Sequence, residues 1–175
     1  IFGINTAIKK ARGDRKLYLV EGAPDVMKMQ SVGIFNAIAS LGGSWTESQF
    51  QKLKDYHLQD CTLCFIPDSD IPKQEEKIGA GFQNVLRNGA LAIQQGFTVS
   101  VMEIPNDLTI DEPKKTDPDE FFHDKSDLYK LEEREYILWA FEKRLDKNGT
   151  TEAKQKIIEE TSDLLILIKN EEIQE

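Results

Sequence analysis

Residues 17–33, LYLVEGAPDVMKMQSVG, decide the fold. The apolar run KLYLV at 16–20 reads as a buried strand, and Pro24 suits the first turn of a helix that Gly33 can stop. A strand feeding directly into a helix begins an alternating α/β chain. The junction carries a bare glutamate, Glu21, and an aspartate four residues on, Asp25. Carboxylates at the end of a buried strand are costly unless something positive lies between them.

The pattern repeats outward. FNAIAS at 35–40 is a second strand, closed by Gly42 and Gly43. Residues 46–57 form a helix with a Thr46/Gln49 capping box, and TLCFIP at 62–67 is a third strand. A helix over roughly 80–95 places Phe82, Val85, Leu86, Ala90 and Ile93 on one face and ends near Gly96. TVSVMEIP at 98–105 is a fourth strand. Strands separated by helices imply crossover connections, hence a mostly parallel four-stranded sheet with helices on both faces. After about residue 126 the character changes. LYKLEEREYILWAFEKRL predicts one helix, with Leu131, Leu138, Phe141 and Leu145 on one side. A second helix from about Thr151 carries Ile157, Ile158, Leu164, Leu165 and Ile168. The expected division is 1–15, the tail of an upstream subdomain; 16–125, an α/β domain; and 126–175, a truncated helical subdomain. The chain reads as a piece of a longer protein.

Acidic residues number 31 against 22 basic ones, a net charge of −9. Such a chain does not grip nucleic acid by its overall field. Two cysteines do not make a secreted disulfide scaffold, and LLILI at 164–168 is too short to span a bilayer. A cytoplasmic protein with no membrane partner is the expectation.

Three acidic pairs occupy comparable places: Glu21 and Asp25 after strand one, Asp68 and Asp70 after strand three, and Asp117 and Asp119 after strand four. Ligands of open parallel sheets collect beyond the carboxyl ends of the strands. Any one pair is equally an ordinary turn or helix start; three in order are less easily accidental. At an effective dielectric of 20, two like charges 4 Å apart cost about 4 kcal/mol. A rim of such pairs calls for cations, and oxygen-only donors suit Mg²⁺ or Mn²⁺ rather than Zn²⁺.

VEGAPDVM, AIASLGG, IPDSD and KTDPDEFF resemble, in order, the motifs of the TOPRIM domain, most closely that of bacterial DnaG-type DNA primases. The resemblance covers about residues 16–125 and implies a TOPRIM-type fold. It implies metal-associated roles for Glu21, Asp25, Asp68, Asp70, Asp117 and Asp119, with Glu21, Asp68 and Asp70 at the catalytic centre. The implied chemistry is template-directed RNA primer synthesis in DNA replication. The full-length protein would take single-stranded DNA template and ribonucleotides, with a replicative helicase as a further candidate partner. The segment IPKQEEKI after Asp70 departs from the family, where a glycine follows sooner, and predicts a longer loop there. Little polymerase activity is expected of this chain alone, because the family's upstream basic subdomain is not part of it.

Other features are weaker. Gly42 and Gly43 suit a backbone phosphate cradle and equally an ordinary tight turn. Cys61 and Cys64 form C-x-x-C, but with no second pair they read as buried thiols. His123 reads as a surface residue, and Trp45 and Trp139 lack the basic neighbours of a base-stacking platform. Two alternatives stand beside the primase: a TOPRIM nuclease or topoisomerase-type module, and a non-enzymatic recombination module. Tyr18, Tyr56, Tyr129 and Tyr136 lack the setting of a topoisomerase nucleophile.

Overall fold

The structure, a computed structural model, describes residues 1–42, 44–69, 79–105, 116–145 and 150–172. The chain opens with helix α1 (Ile4–Asp14), then strand β1 (Lys16–Val20), helix α2 (Ala23–Ser31) and strand β2 (Ala37–Ala39). Helix α3 (Glu47–Asp55), strand β3 (Thr62–Phe65), helix α4 (Ala80–Gln94) and strand β4 (Val99–Met102) follow. Then come the short helix α5 (Pro118–Phe121), a 3₁₀ turn (Lys125–Lys130), strand β5 (Glu133–Glu135), and helices α6 (Tyr136–Arg144) and α7 (Thr151–Glu172).

The sheet order is β2-β1-β3-β4-β5. The first four strands are parallel, as expected, with Tyr18 level with Ala37 and Cys64, and Cys64 level with Ser100. Alternation along each strand sends side chains to two faces. Leu17, Leu19, Leu63, Phe65, Val99 and Val101 face a core built with α1, α3, α4 and α6. Tyr18, Val20, Cys64, Ile66 and Met102 face a smaller core built with α2 and the segment around Phe122. Both faces are therefore covered, which explains why the strands read as unbroken apolar runs.

Local signals account for the helix boundaries. The Thr46 hydroxyl accepts from the Gln49 amide at 3.3 Å, and the Gln49 side chain accepts from the Thr46 amide at 2.9 Å. Gly33 and Gly96 both adopt positive φ just beyond α2 and α4. At the N-terminus Ile4, Ala7 and Ala11 of α1 are buried in the larger core, and Phe2 pairs with Ala39 at the β2 edge.

The segment after residue 126 corrects the sequence expectation. In place of one long helix there are a 3₁₀ turn, a strand and a nine-residue helix. β5 joins the sheet as a fifth, antiparallel strand, Arg134 level with Val101. The break comes at Glu135, whose carboxylate accepts from the amides of Ile137 and Leu138 at 3.0 Å each and starts α6. This rotates the apolar face: Tyr136, Ile137, Trp139 and Ala140 are buried, whereas Leu138 is 63% exposed. Trp139 is fully buried, packed edge-on against Phe82, with its Nε1 donating to Glu103 at 2.5 Å. Among the described residues no helix is long and apolar enough to cross a membrane.

Candidate functional site

β1 and β3 are adjacent and parallel, so the residues that follow them leave the sheet at the same rim. Glu21 is the first residue beyond β1. Beyond β3, Ile66 still bonds to Leu19, and Pro67 then leads into Asp68. The third acidic segment arrives from farther along the chain: Asp117 caps α5, Pro118 occupies its first turn, and Asp119 follows.

Together these segments wall one open cavity of about 570 Å³. Glu21, Asp25, Asp68, Asp117 and Asp119 all line it, with Gly22, Leu41 and Gly42. No lysine or arginine is among the described lining residues. Five of the six acidic residues singled out from the sequence are thus brought together. The sixth, Asp70, lies outside the described residues, as do Gly43 and the whole of the segment IPKQEEKI following Asp70. A Cβ on Gly42 would meet nothing within 4 Å, so packing does not require glycine there.

The carboxylates differ in setting. Asp25 is 6% exposed and bridges two segments. One oxygen accepts from the Gly22 amide at 2.8 Å and the other from the Asp119 amide at 3.3 Å. Burial pushes its carboxyl above the ordinary range, and the nearby Asp119 and Asp117 charges push the same way against those two hydrogen bonds. Asp68 is equally buried at 6% exposure, while Glu21, Asp117 and Asp119 are half-buried. Like charges crowd into a partly desolvated wall, the condition that favours a bound cation.

The donor chemistry fits a hard divalent ion, because every acidic donor is a carboxylate oxygen. Among the described residues no three His, Cys, Asp or Glu groups form a ready-made cage. Magnesium does not need one. It keeps several waters and takes one or two protein carboxylates.

Leu41, within the AIASLGG motif, was not singled out as a site residue from the sequence. It lines the cavity at 60% exposure, with φ of 64°. No local signal marks an exposed leucine in a left-handed conformation. The cysteines behave as expected: both are buried, on opposite faces of the sheet. Burial pushes the Cys64 thiol up to about 12. His123 is exposed, and Trp45 is buried against Phe50.

A model of the Toprim-like family matches residues 18–122. The DNA primase of Clostridium acetobutylicum is 31% identical over 121 residues, which is 69% of this chain and 17% of that protein. A Staphylococcus aureus DNA primase is 28% identical over 112 residues, 64% of this chain and 17% of that one. The chain thus spans about a sixth of the length of these relatives. Among solved structures, the zinc-binding and RNA polymerase domains of the Aquifex aeolicus primase align with a TM-score of 0.66 at 21% identity, over 93% of this chain and 36% of that one. The RNA polymerase domain of Mycobacterium tuberculosis primase DnaG, in complex with double-stranded DNA, aligns at 0.62 and 20% identity, over 96% and 50%. At these identities the structural likeness speaks for the fold.

Proposed function

The chain belongs to the Toprim-like family, in the form carried by bacterial DNA primases, and from that premise we propose that it is the divalent-metal-binding part of a primase catalytic core. The observation that carries this is the convergence of Glu21, Asp25, Asp68, Asp117 and Asp119 on one cavity at the carboxyl rim of a parallel sheet. The residues that would hold Mg²⁺ or Mn²⁺ are drawn from these five and Asp70. Glu21, Asp68 and Asp70 would be its catalytic residues. Gly42 and Gly43 are the candidate phosphate contacts.

Bound metal would supply positive charge to phosphate oxygens and acidify the attacking 3′-hydroxyl in RNA primer synthesis. The chain's own contribution is selection and placement. An acidic wall repels a bare polyphosphate, so nucleotide is accepted only as its metal complex. Glu21, half-buried at the end of a rigid strand, is the group to hold or take the proton at the reacting end. Template strand and ribonucleotides would be gripped by the full-length protein, since this chain carries a net charge of −9. The same reading keeps a cytoplasmic location and a replicative helicase as candidate partner.

The test is a manganese titration of this chain followed by thermal unfolding. Binding to the native state raises stability by mass action, about 2.7 kcal/mol at a hundredfold excess over Kd. A rise that is lost in Asp68→Asn supports the proposal. No rise at millimolar Mn²⁺, or an equal rise in the variant, refutes it. With the full-length protein, template, nucleotides and Mg²⁺ should yield RNA primers; nicked template without primers would favour a nuclease.

A further inference from the structure

The acidic segments at the cavity come from three distant stretches of chain, and something must set their spacing. Ser69 lies between Asp68 and Asp70 and is 1% exposed. Its amide donates to the Thr116 carbonyl at 3.0 Å. Its hydroxyl donates to the same carbonyl at 3.0 Å and accepts from the Thr116 amide at 2.9 Å. One serine thus satisfies both backbone polar groups of a residue 47 positions away. Thr116 immediately precedes Asp117, the cap of α5.

Resting on the metal-binding proposal above, we infer that Ser69 is a positioning residue that holds Asp68 and Asp117 at the spacing a shared divalent ion requires. The hydroxyl does not face the ion's chemistry itself; it fastens the backbone just before Asp117 to the backbone just after Asp68. Metal–oxygen distances tolerate little error, about 2.0–2.1 Å for Mg²⁺. An ångström of freedom between the two segments therefore removes a donor from reach. Deleting the hydroxyl leaves the Thr116 amide without this acceptor while the Ser69 amide still bonds to its carbonyl. The strands and their cores are untouched, so the loss is local to the site. Groups that hydrogen-bond a metal ligand directly typically affect metal affinity by about 10–100-fold; Ser69 acts through the backbone beside the ligands, so the lower end of that range applies.

The experiment measures Mn²⁺ uptake by this chain from the electron paramagnetic resonance signal of free Mn²⁺, with metal-free melting recorded in parallel. Ser69→Ala and Ser69→Gly both delete the hydroxyl. Ser100→Ala is the control: it also removes a partly buried hydroxyl bond, that from Ser100 to Glu133 at 2.7 Å, but in β4, away from the cavity. The expected result is an affinity about tenfold weaker in both Ser69 variants, with Ser100→Ala binding as the parent does. Parent-like affinity in the Ser69 variants overturns the inference and leaves the metal-binding proposal standing. Equal weakening by Ser100→Ala overturns it too, because the effect is then general loss of stability. Loss of the native fold in both Ser69 variants makes the hydroxyl a folding requirement and overturns it likewise. Absence of Mn²⁺ uptake by the parent chain refutes the metal-binding proposal and the inference with it.

Discussion

Replacing Gly89 with alanine should destabilise the protein although it improves a helix. Gly89 is buried in α4, where its missing side chain makes room for the Tyr136 ring of α6. A Cβ built at position 89 would sit 2.2, 2.6 and 2.8 Å from three ring atoms. Ordinary contact begins near 3.4 Å, so the ring would have to retreat by about 1.2 Å, the difference between 3.4 and 2.2 Å. It has little freedom to do so. Tyr136 is fully buried, it lies beside Trp139, and its hydroxyl donates to the Leu86 carbonyl. Overpacking of this kind costs about 1–3 kcal/mol. Withdrawal of the hydroxyl from its acceptor adds about 1–3 kcal/mol. Alanine returns about 1 kcal/mol of helix propensity. The net expectation is a loss of about 1–5 kcal/mol, or about 2–20 °C in Tm for a domain of this size. Urea and thermal unfolding by circular dichroism measure it. In a Tyr136→Leu background the same substitution should become neutral or stabilising, which makes the pair strongly coupled. A Gly89→Ala protein that melts higher than the parent would refute the close seam between α4 and α6. That seam ties the chain beyond residue 126 to the body carrying the cavity.

Other outcomes follow from individual residues. Lys130 and the amides of Asp124 and His123 hold the Asp127 carboxyl down to about 2, below its ordinary 3.8. A depressed carboxyl contributes stability that is complete above about pH 4 and is lost as pH falls toward about 2. Thermal melts between pH 5 and pH 2 should therefore drop more steeply for the parent than for Asp127→Asn, and parallel profiles would contradict this. Leu41→Gly removes a left-handed leucine that is mostly exposed. A relief of about 1–2 kcal/mol, less about 0.5–1 for glycine's extra freedom when unfolded, predicts a gain of about 0–1.5 kcal/mol in urea denaturation; a clear loss would show that the leucine is held by more than its exposure indicates.

Most of the fold was legible because its signals are local. The capping box at Thr46, the proline opening α2 and the glycines after α2 and α4 act within a few residues, and apolar runs bounded by such breaks leave few options. The carboxyl rim followed from strand direction alone. β5 was not legible: its three residues, Glu133, Arg134 and Glu135, carry no strand signal. They are held by partners elsewhere. Glu133 accepts from Lys16 at 2.5 Å and Ser100 at 2.7 Å, and Arg134 pairs with Glu142.

What the amino-acid order determined by itself was the alternation of strand and helix and the placing of acids after strands, since both depend on neighbours along the chain. What only the tertiary structure decided was which acids share a wall. Asp25 reaches the Asp119 amide across 94 residues, and Ser69 reaches Thr116 across 47. Hydrogen bonds between such distant stretches exist only after the sheet has brought their backbones together, so nothing in either stretch read alone announces them.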